Sequence, residues 1–532
     1  MHKSVGRVDT RTSLLLGAAL AVLSVVLFAC LAVRLMNYEL RRDEELYVPP
    51  VRLLEESKLY LDFFYNHAPG SAWWFYGIRQ LTGSDYLLLD GRLGVLAGWL
   101  IFAAGIGIVS FALTRSGLAS WCIVVLSLAS DPFLTQTGMT ATNNLLPLPF
   151  SFLGLGLFIL GVSHGRTRPV LIALAGFCLS VAVVFKISAL AFIPPVAIAA
   201  FLMPRSTDMR HRVMQVIAPL AVGGLIGGLP ILVYLISDPA RFLAHVVGYH
   251  LGPHAQYFLL AQNADDDAVL SLSAKLFQAL TIWLSGAVAV SLAALLTLLL
   301  TALRWAAAGR PGRWLLPSGP MAIVLGALAL SVALSFFPTP SFPQYFAPPL
   351  VCLPLALALL FGGLEPDARP NAQPALIAAT IVVLVIAGPR LVQHLGNVMQ
   401  PQRWTVMRVH AGGVAIAQRL AAAGVSGKVA TLMPIYPLEG GLEVYPELAT
   451  GPFAYRTADI TPPDVAKFYR MTSPTRVGKL FDADPPAALL LGFDPVLEAP
   501  MLAYARSNGY VPAPDFAVSD RYGTGTLYIK AG

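Results

Sequence analysis

Charged residues are scarce in this chain: Asp, Glu, Lys and Arg make up 12% of its 532 residues, against 56% hydrophobic residues and a mean hydropathy of +0.68. That shortage excludes a soluble globule of this length, in which about a quarter of residues carry charge. Cysteine is nearly absent. Cys30, Cys122, Cys178 and Cys352 all fall inside apolar runs and none sits in a CxxC pair, so neither a disulfide framework nor a cysteine-built metal site is expected. There is no Walker loop and no GxGxxG turn, which removes the usual support for ATP-driven transport and dinucleotide chemistry. A basic patch is also missing. The net charge of +7 is spread over short turns rather than gathered with aromatics, which argues against nucleic acid as a partner and for anionic headgroups of a lipid bilayer.

What the chain has in abundance is apolar runs near the length that crosses about 30 Å of hydrocarbon. About eleven are expected, over 13–36, 87–112, 117–130, 143–162, 169–183, 188–204, 213–236, 284–303, 318–336, 346–362 and 374–390. Lys3, Arg7 and Arg11 precede the first; Arg115, Arg166, Arg168, Arg205, Arg210, Arg212, Arg304, Arg310, Arg313 and Arg369 fall in every second connection. The excess of positive charge on one side predicts a cytoplasmic N-terminus. An odd number of spans then puts loops 37–86, 237–283 and 337–345, with everything after Arg390, on the opposite face. The first run reads as a retained helix because no small-residue cleavage site follows it.

Two segments break the apolar pattern. Residues 391–532 return to charged and polar composition and read as a soluble α/β domain. Helices are expected at Val406–Ala423, from Pro463 and at Pro495–Asn508, and strands at Lys428–Leu432, Ala487–Gly492 and from Thr524. The first external loop, 37–86, is structured too: Val51–Tyr65 alternates Leu and charged residues as an interfacial helix would, and Trp73, Trp74, Phe75 and Tyr76 suit the headgroup level.

That loop concentrates the polar chemistry. Asp43, followed by Glu44 and Tyr47, is placed to take a proton from an attacking hydroxyl, the bland alternative being a solvated charge beside Arg41 and Arg42. His67 is suited to donate to a phosphate or a sugar hydroxyl, or else to satisfy neighbouring backbone. Lys186 lies between two apolar runs, where an ammonium needs an anionic partner or an interface to reach. Arg92 has the same two readings, with Asp90 as a local partner. Asp131 before Pro132 is a second acid or a helix end. Gln344 and Tyr345 face a headgroup or simply mark a membrane boundary. His245, His250 and His254 share one loop, in a spacing read as neither His-x3-His nor His-x2-Glu-His, and a zinc site from them is a minority reading. Asp265, Asp266 and Asp267 would hold a divalent ion with a phosphate, or form a solvated turn.

In chain order these pieces resemble the GT-C superfamily of membrane glycosyltransferases, in particular bacterial relatives of protein O-mannosyltransferases and of the lipid A aminoarabinose transferase. The resemblance rests on Asp43-Glu44-x-x-Tyr47 after the first helix, His67-x-Pro69, Arg92 leading a span, Phe185-Lys186 between the fifth and sixth spans, and Pro343-Gln344-Tyr345-x-x-Pro348 before the tenth. It implies an α-helical polytopic membrane protein with a GT-C-like catalytic module over 1–390. It also implies a polyprenyl-phosphate sugar as donor, Asp43 as general base with Glu44 beside it, and Lys186, Arg92 and His67 at the donor phosphate. No cofactor is obligatory, and a divalent metal ion is left open. Two departures stand out: Met139–Asn144 carries no acid where many relatives have one with an Arg, leaving Asp131 as the nearest, and Gln344 stands where many have a base.

The expected activity is inverting transfer of a sugar to a cell-envelope acceptor, whether glycan, lipid or protein, on the periplasmic side of a bacterial inner membrane, with the soluble domain there too. Tyr436, Glu439, Glu443 and Tyr445 are candidate acceptor contacts in that domain. A secondary transporter would instead place charges mid-span in two related halves. A non-catalytic envelope assembly protein would leave Asp43 incidental.

Overall fold

Each of the eleven apolar runs folds as helix. The computed structural model describes residues 10–163, 167–204, 208–261, 268–308 and 319–530. Among them, seven helices are long and apolar enough to cross a bilayer: Leu14–Asn37, Leu87–Thr114, Met209–Ser237, Gly286–Ala307, Gly319–Phe336, Pro343–Gly363 and Arg369–Val392. Four more are apolar but shorter, Gly117–Leu128, Pro147–Val162, Pro169–Phe185 and Ile187–Leu202. At 1.5 Å per residue they reach only about 18–26 Å. Their missing length is made up by irregular backbone, which is tolerated at membrane depth where protein buries it or where it lines a cavity. Residues 140–146 and the break at Lys186 are such stretches. Of the basic residues used to orient the chain, Lys3, Arg7, Arg166, Arg205, Arg310 and Arg313 lie outside the described residues.

Helix Pro169–Phe185 packs directly on helix Ala218–Ser237 through glycine. A Cβ on Gly176 would run into the carbonyl of Leu220, one on Gly223 into that of Ala173, and one on Gly227 into that of Phe177. Small residues permit this approach, and it is how membrane helices gain dispersion contacts that hydrocarbon cannot otherwise supply.

The first loop is structured differently from the expectation. Val51–Tyr65 is not an interfacial helix. Only single turns form, at Glu44–Tyr47 and Pro50–Leu53, and the chain then reverses at Tyr60, whose φ is 69°, while the Asp62 carboxylate accepts from the amide of Lys58 at 2.7 Å. The helix of this loop is Gly70–Thr82, which carries the four aromatics and ends on Gly83 at φ 62°.

The polar tail opens with helix Thr405–Ala422 and contains a four-stranded sheet of β1 (Val429–Ala430), β2 (Ala488–Leu491), β3 (Tyr510–Asp520) and β4 (Gly523–Lys530), ordered β1-β2-β4-β3. β1 runs parallel to β2, with Val429 opposite Ala488; the other pairings are antiparallel, with Leu490 opposite Leu527. β1 is shorter than expected. β3 was not foreseen, because Pro512 and Pro514 disguise it; both are tolerated on an edge strand, and the register shifts between Pro512 and Ala517. Helices Pro463–Phe468 and Pro495–Ser507 fall where the pattern placed them.

The tail clamps the first loop. Arg42 pairs with Asp494 at 2.9 Å, the Glu45 carboxylate accepts from the amide of Ile435 at 3.0 Å, and the Thr405 hydroxyl donates to the carbonyl of Asn37 at 3.0 Å. Glu439, on the tail, accepts from the amide of Leu88 at 2.8 Å and is also held by His410 at 2.8 Å. One apolar core therefore continues from the membrane helices through the loop into the tail.

Candidate functional site

The single turn Glu44–Tyr47 sorts three neighbouring side chains by direction. Glu44 points inward, fully buried, and its carboxylate receives Arg92 through Nε at 3.1 Å and Nη2 at 3.0 Å, the amide of Ala141 at 2.8 Å and the amide of Arg41 at 3.0 Å. Arg92 spends its other hydrogens on the carbonyls of Leu35 and Tyr38. Glu44 and Arg92 are thus a structural pair that staples the loop to the second span, not groups lining a binding site. Asp90 is not the partner of Arg92; it accepts instead from Thr82 and Ser84.

Asp43, at the start of the turn, faces the other way. It lines a cavity of about 450 Å³ and accepts from the Gln136 side chain at 3.0 Å. Tyr47 closes the turn and also reaches this cavity: its hydroxyl donates to Asn143 at 2.8 Å and its ring stacks on His67 with centroids 4.9 Å apart. Asn143 in turn donates to the carbonyl of Phe185, tying the irregular stretch to the break that carries Lys186.

Lys186 enters the same cavity from that break. Its ammonium donates to Asn144 at 2.7 Å and lies 4.8 Å from the centre of the Tyr345 ring. Burial lowers its pKa to about 8, and the charge of Asp43 opposes the shift. Gln344 and Tyr345 also line the cavity. The tail supplies part of the wall as Phe453, Arg456, Arg521 and Tyr522.

Asp131 does not join them. It pairs with Arg390 beside Gly286 and is absent from the cavity wall. Tyr436, Glu439 and Tyr445 are buried in the tail, Tyr445 donating to the carbonyl of Asp484, while Glu443 is exposed on its surface; none of the four lines the cavity. Asp265, Asp266 and Asp267 lie outside the described residues. Among the described residues, no three His, Cys, Asp or Glu side chains come together in a way that would hold a metal ion.

The sequence reading missed Gln136, Arg456 and Arg521, and weighed His250 and His254 only as zinc ligands. Contrary to the expected spacing, His250 and His254 do have three residues between them and so share one face of a helical segment. Their rings are 5.5 Å apart, and His250 is 5.0 Å from His67. A second, mainly apolar cavity of about 400 Å³ adjoins the first. His67, Asn143, Lys186, His250, His254 and Tyr345 belong to both walls, and Ile187, Val247, Leu251, Leu334 and Phe337 line the apolar side.

No protein-family model and no curated protein matches the sequence. Among solved structures, the chain is similar to ArnT from Cupriavidus metallidurans bound to undecaprenyl phosphate, with 14% identity, a TM-score of 0.61 and 98% of each chain covered. Its likeness to the apo state of ArnT is of the same order, 15% identity and a TM-score of 0.62 over 98% of each chain. The chain therefore has the fold of ArnT, over its membrane helices and its tail alike.

Proposed function

We propose that this protein is a polyprenyl-phosphate-sugar-dependent glycosyltransferase that moves a sugar, with inversion at the anomeric carbon, onto an envelope glycan, lipid or protein. The observation that carries the reading is a pair of adjoining cavities with Lys186 in their shared wall, Asp43 on the polar side and apolar side chains on the other. The donor's phosphate sits against Lys186 and its prenyl chain occupies the apolar side. Asp43 takes the proton of the acceptor hydroxyl as the oxygen attacks. The leaving phosphate gains a negative charge in the transition state, and a fixed cation in a site shielded from water stabilises it there more than in bulk solvent. The solved relative's binding of undecaprenyl phosphate supports a polyprenyl phosphate as the lipid half of the donor.

The reading takes residues 1–390 as the catalytic module in a bacterial inner membrane, N-terminus in the cytoplasm, and residues 391–532 in the periplasm, an orientation that the charge bias of the connecting loops supports. Mass spectrometry of lipid-linked sugars and envelope glycans tests it. Cells lacking the active protein should accumulate a polyprenyl-phosphate sugar and lose one glycan substituent. Asp43→Asn should abolish the transfer, a drop of about 10²–10⁴-fold being typical for a lost general base, with membrane insertion unchanged. Transfer at the unsubstituted rate in that variant would reject Asp43 as the base.

A further inference from the structure

Among the described residues, five cations line the polar cavity, Arg41, Arg42, Lys186, Arg456 and Arg521, against one carboxylate, that of Asp43. Three of the arginines gather near that carboxylate. Arg42 and Arg521 lie over the Tyr522 ring, 4.8 and 5.5 Å from its centre, and Arg41 precedes Asp43 by two residues. Arg42 is paired with Asp494, and Arg521 is 3.6 Å from Glu39. Arg456 stands apart from this group. It follows the tail's turn Pro452–Tyr455, is half-buried, and lies against the rings of Tyr257, Phe258 and Phe453 at 5.2, 5.0 and 5.1 Å. Among the described residues it forms no ion pair, and its Nε is buried without a hydrogen-bond partner.

The position of Arg456 is fixed against the donor's wall. The Tyr249 hydroxyl donates to the carbonyl of Phe453 at 2.6 Å, which seats the tail's turn on the segment running from His250 to Phe258. His250 and His254 belong to the wall shared with the apolar cavity, and Phe258 packs on both the His254 ring, at 5.2 Å, and the Arg456 guanidinium. Lys186 lines both cavities, whereas Arg456 lines only the polar one. A phosphate bonded to a prenyl chain sits where the two cavities meet, at Lys186. Arg456 faces what extends from that phosphate into the polar side. Asn66 adds a second, independent signal: its side chain is 2% exposed, lines the same cavity, and has an Oδ1 without a hydrogen-bond partner among the described residues. An amide oxygen only accepts, so the group it lacks is a donor such as a sugar hydroxyl.

We propose that Arg456 selects the sugar that is moved and that this sugar is acidic, its carboxylate held by the Arg456 guanidinium while one of its hydroxyls donates to Asn66. The inference rests on the donor reading above. In an inverting displacement the sugar lies between the leaving phosphate, at Lys186, and the attacking hydroxyl, at Asp43. Its other substituents point to the side walls, and on the donor's side the wall offers Arg456, a cation without a counter-ion. Aromatic faces offset part of the cost of removing that charge from water, and an anion offsets more. The rings fix the guanidinium and leave its Nε unused, and a guanidinium edge pairs with a planar carboxylate through two parallel hydrogen bonds. A neutral sugar leaves the charge unmatched. An amino sugar brings a second positive charge against it. Discrimination of this kind is strong, because the wrong ligand leaves a charge of the protein without its partner.

Titration of lipid-linked sugars into the full-length protein in lipid nanodiscs at pH 7 tests the assignment. The probes are undecaprenyl phosphate carrying glucuronate or galacturonate, the same lipid carrying glucose, galactose or glucosamine, and undecaprenyl phosphate without a sugar. Each uronate differs from its neutral counterpart at one carbon. At least one uronate should bind about tenfold to hundredfold more tightly than that counterpart, and glucosamine no better than glucose. Arg456→Gln should erase the difference and bind the sugar-free lipid as the unsubstituted protein does. Uronates that bind no more tightly than the neutral sugars, tightest binding of the amino sugar, or a preference that survives Arg456→Gln each overturn the proposal. The comparison of sugars in the unsubstituted protein decides it even where the variant fails to fold. A matching loss of the sugar-free lipid in Arg456→Gln would assign the guanidinium to the lipid phosphate and overturn it too. Failure of the unsubstituted protein to bind undecaprenyl phosphate at all overturns the donor reading, and this inference with it.

Discussion

Glu44 and Arg92 meet through two hydrogen bonds of 3.0 and 3.1 Å with neither side chain exposed to solvent. The pair fixes the turn Glu44–Tyr47 against the second span, and by holding Glu44 inward it leaves Asp43, one residue earlier, to face the cavity. Two adjacent acids thus have opposite surroundings. Replacing either partner alone leaves a buried charge without its counter-ion, which costs about 3–5 kcal/mol. Arg92→Met and Glu44→Leu should each lower the thermal unfolding temperature of the detergent-solubilised protein sharply, and the double variant should be less destabilised than either single one. Additive losses would mean that the two side chains do not act as a pair.

Donor binding should weaken above pH 8. An ordinary lysine stays charged to beyond pH 10. Lys186, with its pKa lowered to about 8, is an ammonium below that point and a neutral amine above it. The KM for the lipid-linked donor should therefore rise from pH 8 to pH 9.5, and Lys186→Arg should shift the rise out of that range. A KM unchanged between pH 7 and pH 9.5 in the unsubstituted protein would remove Lys186 from the phosphate.

Glu439→Ala should loosen the tail from the membrane helices. The substitution leaves the amide of Leu88 and the ring of His410 without their acceptor, and a buried unpaired donor costs about 1–3 kcal/mol. Limited proteolysis should cut the tail faster, and amide exchange should rise at 87–90 and 435–440. Unaltered exchange there would show that the contact does not hold the tail.

Gly223→Val should prevent helix Ala218–Ser237 from seating on helix Pro169–Phe185, because the new side chain meets the carbonyl of Ala173, which belongs to a helix backbone and has no room to give. Loss of monodisperse protein in detergent is the expected readout. Gly77→Ala, on helix Gly70–Thr82 with open space around its α-carbon, is the control; it should leave the protein intact or stabilise it by about 0.5–1 kcal/mol.

The sequence marked Asp43, Tyr47, His67, Lys186, Gln344 and Tyr345, and all six line one cavity. Each stands out locally, as a polar residue where apolar ones surround it. Arg92 and Glu44 stand out in the same way, yet their partners are each other. Local pattern registers that a buried charge needs compensation but not whether a protein group or a ligand supplies it. The place of His250 and His254 beside His67 went unread for a different reason. Their importance comes from lying against His67, more than 180 positions earlier, and no local signal records such a distance. The tail's contribution of Arg456 and Arg521 to the wall was hidden in the same way.

The hydrocarbon thickness that each helix must match acts on a few consecutive residues at a time, so spans, loops and the polar tail were all readable from composition. So was the strand Ala488–Leu491, a short apolar run bounded by prolines and glycine. Which side of a turn a carboxylate faces, which segments meet across a break, and which histidines stand beside a lysine depend on how helices pack in three dimensions. Those relations were decided by tertiary contacts between residues far apart in the chain, glycine backbones among them, and only the folded structure contains them.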